Sequence, residues 1–234
     1  MMRNKDELLR LIVQHLIINS GFTNNLGLFH GKMGIALFFC HYARHSNKSL
    51  YNDFAGELIE MINEDLTEDI PINMENGLSG IGWSIEYLVN NKFMTGNTND
   101  ILTEIDERIM QYDPLRMKDY SFNQGITGIL FYVSTRLISQ NRGTTNCSFD
   151  KEYLNTLFKE TEQLLSDNTL NKESCHIVKT YRYIYCNPQK QTPKLTLFPF
   201  LHFEKSKDEE LGLIKGWAGK GLKLLSENGT VIYF

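Results

Sequence analysis

The chain has 234 residues, 41% apolar and 12% aromatic, enough for one sizeable core or two small ones. Its net charge is −4 with both signs interleaved, so no basic stripe points to nucleic acid. Four cysteines at this length do not make a disulfide scaffold, and no run approaches the roughly 18 uninterrupted apolar residues of a membrane span.

The first twenty residues contain an apolar section, but Asp6, Glu7, Arg10 and His15 interrupt it and no small-residue cleavage site follows. Leu8, Leu9, Ile12 and Leu16 follow helical spacing, so the segment reads as an amphipathic helix. A reducing cytoplasm is the expected compartment.

From His30 onward a polar residue followed by Gly-x-x-Gly and an apolar helical stretch occurs four times. The copies are HGKMGIALFF, NGLSGIGWSIEYL, QGITGILFYV and KGWAGKGLKLL. Their first glycines, Gly31, Gly77, Gly125 and Gly216, are 46, 48 and 91 positions apart, the last close to two periods. A fixed period of this size marks a repeat architecture.

Segments with one apolar stripe alternate with these copies: Leu50 to Asn63, Asn99 to Tyr112 capped by Asn99 or Asp100, and Asp150 to Ser166 behind an Asp150 cap. The Gly-motif helices are apolar nearly all round and belong inside, the striped ones outside. The pattern predicts an all-α, toroid-like array of helical hairpins over residues 1–234, as a partial or open ring in a single domain. Glycines at i and i+3 clear one side of the first helical turn for close approach.

Residues 141–207 read as a degenerate repeat or an irregular insertion. One period past Gly125 falls near Lys172, and Pro188, Pro193 and Pro199 suggest a hairpin or irregular stretch. The last residues, NGTVIYF, read as a β-type tail or plug with a turn at Asn228-Gly229.

The residues just before the first glycines are His30, Asn76, Gln124 and Lys215. If the inner helices point their N-termini at one rim, these side chains converge on a ligand-binding mouth, with Trp83, Glu86 and Trp217 nearby. Asn76 also suits a helix N-cap, whereas His30, Gln124 and Lys215 are poor caps. Free N–H groups and the positive dipole end would make such a mouth attractive to anions. Cys40 sits in an apolar run and reads as core. Phosphate-loop, nucleophile-elbow and His-Glu-x-x-His signatures do not occur in the sequence.

GLFHGKMGIALFF, NGLSGIGWSIEYL and GLIKGWAGKGLKLL resemble the inner-helix motifs of the lanthionine synthetase C-like family, the cyclases of lantibiotic maturation. The likeness covers Gly27 to Leu137 and Gly212 to Ser226, with nothing recognisable between Asn141 and Lys207. It implies an α/α toroid and a bacterial, cytoplasmic role in peptide modification. The family carries a catalytic zinc held by Trp-Cys-x-Gly and Cys-His-Gly motifs. The first is absent here, and Cys175-His176 is followed by Ile177, so those two residues are the sole zinc candidates.

No catalytic residue and no cofactor are therefore expected. The implied role is binding of a peptide substrate or leader segment, or of a partner modification enzyme. One alternative is a zinc-dependent cyclase that adds cysteine thiols to dehydrated residues with Cys175 and His176. Another is a sugar-processing toroid enzyme with Glu86 as one acid.

Overall fold

The computed structural model describes residues 5–141, 148–166, 170–188, 190, 195–197 and 210–227. The expected β-type tail, the turn at Asn228-Gly229 and most of the proline-containing stretch lie outside them. Among the described residues every regular element is helical, as the repeat pattern predicts. The chain forms two compact units, Met1–Ile70 with Leu201–Phe234, and Pro71–Phe200.

The first unit contains α1 (Lys5–Asn19), α2 (Lys32–Ser46), α3 (Leu50–Glu64) and, after the second unit, α9 (Trp217–Glu227). α2 lies against α3 and α9, and α1 against α9. Composition explains which helix is inside. α2 buries every residue from Lys32 to Ala43, whereas α3 buries Ala55, Leu58 and Ile62 along one stripe. α2 stops at Asn47, whose left-handed backbone (φ 53°) lets its N–H donate to the Ala43 carbonyl.

The second unit contains α4 (Leu78–Asn90), α5 (Thr98–Met110), α6 (Ile126–Asn141), α7 (Lys151–Ser166) and α8 (Lys172–Cys186). α4 packs on α5 and α6, and α8 packs on α6 and α7. α4 is buried continuously from Leu78 to Leu88, while α5 buries Leu102, Ile105, Asp106 and Ile109. The α5 cap is Asn97, whose side chain accepts from the Asn99 N–H, two residues before the position expected from sequence. Asp150 caps α7 as expected, accepting from the Tyr153 N–H at 2.6 Å.

The long gap between the third and fourth glycine motifs holds two helices, each with one buried stripe: α7, and α8, which packs against both α6 and α7. α8 begins without glycine. Asn171 Oδ1 accepts from the Ser174 N–H at 2.7 Å, so an ordinary side-chain cap replaces the glycine turn.

Candidate functional site

The four motif loops share one backbone device. The first N–H of each inner helix donates to a carbonyl seven residues upstream: Lys32 to Asn25 (2.8 Å), Leu78 to Pro71 (2.8 Å), Ile126 to Asp119 (2.9 Å) and Trp217 to Glu210 (3.1 Å). The next N–H follows in three of them, Met33 to Leu26, Ser79 to Ile72 and Ala218 to Leu211. The loop thus folds back over the helix start. Gly31 and Gly77 have the same backbone angles (φ −122°, ψ −166°), which any residue can adopt. Glycine is needed there for space. A Cβ on Gly31, Gly77 or Gly125 would run into the carbonyl of Asn25, Pro71 or Asp119.

This geometry corrects two expectations. Asn76 is not the cap of α4, since Gly77 holds that position and the Asn76 N–H donates to Asn73 Oδ1 at 2.9 Å. The leading helix N–H groups are occupied by loop carbonyls, so they are not free donors for an anion.

The rim residues fall into two pairs. In the first unit the loops carrying His30 and Lys215 lie against one another: the Ile214 N–H donates to the Phe29 carbonyl at 3.0 Å, and Gly212 abuts the His30 backbone. Lys215 has a left-handed backbone, φ 59°, unusual for a side chain without a short polar end. In the second unit the Met74 and Glu75 N–H groups donate to the Asn123 carbonyl. Gln124 there accepts from Asn73 Nδ2 and donates to Glu75 Oε2.

Trp83 and Glu86 stand in the core, against the expectation that they face a mouth. Trp83 is 3% exposed and stacks on Tyr87 at 5.3 Å between ring centroids. Glu86 is 1% exposed, and its Oε2 accepts from Arg136 Nη1 at 2.7 Å. Arg136, fully buried on α6, also donates to Asp106 Oδ2 from Nε (3.1 Å) and Nη2 (2.7 Å). Tyr132 donates to Asp106 Oδ1 at 2.5 Å, and burial beside that carboxylate pushes its phenol well up. One arginine thus holds carboxylates from α4 and α5 together inside the second unit.

In the first unit a cavity of about 550 Å³ opens beside α1, lined by His15, Asn19, Phe22, Thr23, His30 and Glu210. His30 Nδ1 is 3.8 Å from Glu210 Oε2, and Phe22 is 82% exposed. Trp217 lies beside His15, ring centroids 4.9 Å apart, and Lys220 Nζ stands 4.5 Å from the centroid of its ring. Of the expected rim, His30 lines this cavity. Sequence reasoning missed His15, Asn19, Phe22, Thr23 and Glu210, because the repeat period carries no information about α1 or the segment before α9.

Cys175 and His176 are consecutive on α8. Cys175 is half-buried and His176 exposed. Among the described residues no group of three or more histidine, cysteine or acidic side chains is placed to hold a metal. No helix among them is long and apolar enough to cross a membrane.

These features define an all-α protein of glycine-started inner helices and striped outer ones. The model of the family described as lanthionine synthetase C-like protein matches residues 23–197, three quarters of the chain, and the chain belongs to that family. The match runs through α7 and α8, where the sequence showed no recognisable likeness, and stops before the closing glycine motif at Gly212. No curated protein matches the chain.

Proposed function

We propose that this chain is a peptide-binding member of the lanthionine synthetase C-like family that works in a bacterial cytoplasm without itself closing thioether rings. The observation that carries the reading is the cavity beside α1. Its volume of about 550 Å³ suits a peptide side chain or terminus, and it mixes aromatic, amide and titratable groups. The absence of the family's Trp-Cys-x-Gly and Cys-His-Gly motifs from the sequence favours binding over cyclisation. Glu86, the acid named for the sugar-processing alternative, is buried and paired with Arg136, which counts against that reading.

Calorimetry of the full chain with a linear peptide bearing serine, threonine and cysteine tests the binding. His15→Ala and His30→Ala are expected to weaken it without lowering the melting temperature. A second arm incubates the chain with a dehydrated form of the peptide and counts free thiols by alkylation. Unchanged binding in both variants, or thiol loss that depends on the protein, would sink the reading.

A further inference from the structure

We infer that Asn76 is a self-modification site, where the folded chain converts its own asparagine to isoaspartate by ring closure onto Gly77. The co-reactant is water. The Gly77 backbone nitrogen attacks Cγ of Asn76, and an N–C bond forms that closes a five-membered succinimide. The Asn76 side-chain nitrogen leaves as ammonia, taking the proton that Gly77 gives up. Water then opens the ring at either carbonyl, which yields aspartate or the isomer whose main chain runs through Cβ and Cγ.

The fold itself demands the glycine that this attack favours. A Cβ on Gly77 would meet the Pro71 carbonyl, so no bulkier residue can stand after Asn76 to shield its Cγ. The Gly77 N–H donates to no backbone carbonyl among the described residues, whereas in the third copy the Gly125 N–H donates to the Ser121 carbonyl at 3.1 Å. Asn76 is half-buried in its loop, within reach of water. The sister loops each lack an ingredient. Gln124 precedes Gly125 in the same way, but its amide is one methylene longer and would have to close a six-membered ring. His30 and Lys215 carry no amide.

The product does not fit the loop. Before Asn76, the Met74 and Glu75 N–H groups are anchored to the Asn123 carbonyl, and after it the Leu78 N–H is anchored to the Pro71 carbonyl. Isoaspartate inserts a methylene into the main chain between those anchors, so one of them must give way. Both products also place a carboxylate next to Glu75, whose own carboxylate accepts from Gln124 Nε2.

The test ages the full chain in mildly alkaline buffer. Asn228, the other asparagine followed by glycine, is replaced by glutamine in every chain compared. Peptide mass mapping follows each asparagine and Gln124, with electron-transfer fragmentation to tell isoaspartate from aspartate. Asn76 is expected to convert on the order of tenfold or more faster than Asn73 or Asn123, which precede residues with side chains, while Gln124 stays intact. Anion exchange isolates the aged fraction by its extra negative charge, and its melting temperature should lie below that of the fresh chain. Asn76→Gln, aged alongside, should keep its charge and its melting temperature. Conversion at Asn76 no faster than at Asn73, or an aged fraction that melts with the fresh chain, overturns the inference.

Discussion

Gly221 of α9 lies directly against the ring of Phe38 on α2, so close that a Cβ on the glycine would overlap it. In the other unit Gly82 of α4 meets Tyr132 of α6 in the same way, with Tyr132 Cε2 2.7 Å from where a Cβ would stand. Each glycine is five residues beyond the first glycine of its own repeat, and each aromatic seven residues beyond its own. The equivalence extends further. Gly34 would meet Leu213 as Gly128 would meet Met74, and both partners stand three residues before a first glycine. α9 therefore stands to α2 as α4 stands to α6, one repeat before it in register.

Adding a methyl group separates the glycines by role. Gly82→Ala and Gly221→Ala press on an aromatic side chain and are expected to cost ~1–3 kcal/mol. Gly77→Ala meets the Pro71 backbone carbonyl, which cannot swing aside, and should cost more than either. Gly56, within α3, has nothing within 4 Å, so Gly56→Ala should stabilise by ~0.5–1 kcal/mol through helix propensity. Urea unfolding midpoints give the order, and equal costs for Gly77→Ala and Gly56→Ala would refute the space argument.

The Arg136 cluster should behave as a unit that tolerates loss of the whole better than loss of a part. Arg136→Met leaves Glu86 and Asp106 buried without their cation and is expected to cost ~3–5 kcal/mol. Tyr132→Phe removes one charge-assisted hydrogen bond and should cost ~1.5–3 kcal/mol. The triple variant Glu86→Gln, Asp106→Asn, Arg136→Met should be less destabilised than the sum of its parts. Strict additivity in a thermodynamic cycle would show that the charges do not act together.

His41 ties stability to pH. Burial, aided by the positive charge of Arg44, pushes its imidazole down to about 3. An unfolded histidine titrates near 6.5, so below that pH the unfolded chain binds a proton that the folded chain refuses. Stability from this group is complete above 6.5 and is lost as pH falls toward 3, by about 1.4 kcal/mol per pH unit. Denaturant midpoints between pH 7 and pH 4.5 should therefore fall less steeply in His41→Leu than in the wild type. Parallel curves would mean that His41 does not control the acid limb.

Cysteine reactivity should sort by environment. Burial pushes the Cys40 thiol up to about 12, so almost no thiolate forms at neutral pH. Cys186 is exposed and Cys175 half-buried. Iodoacetamide on the native protein, read by peptide mass mapping, should label Cys186 before Cys175 and leave Cys40 untouched until denaturant is added. Early labelling of Cys40 would contradict its burial.

Much of this fold is legible as punctuation. Four glycine motifs at one period give the inner helices, and the striped segments between them give the outer ones. The site is less legible for two physical reasons. The loops dock through carbonyls five or six residues before each glycine, and backbone acceptors leave no residue-type signature. Glu86 read as a cavity acid because a charge stood alone on an apolar helix. Arg136, equally alone on α6, was the signal that went unused, since two solitary opposite charges on buried helices call for each other. The cavity residues on α1 and near Glu210 lie outside the repeat, where periodicity is silent.

The register between α9 and α2 also sets an order of events during synthesis. Residues 71–200 form a continuous unit whose contacts can be made as the chain emerges. The other unit must join Ile214 to Phe29, 185 positions apart, and so waits until the segment carrying Ile214 is translated. Until then the faces of Gly34 and Phe38 on α2 have no neighbour, and the closure entropy of a very long loop is still to be met. The unit that α1 opens completes its folding after the unit inserted into it.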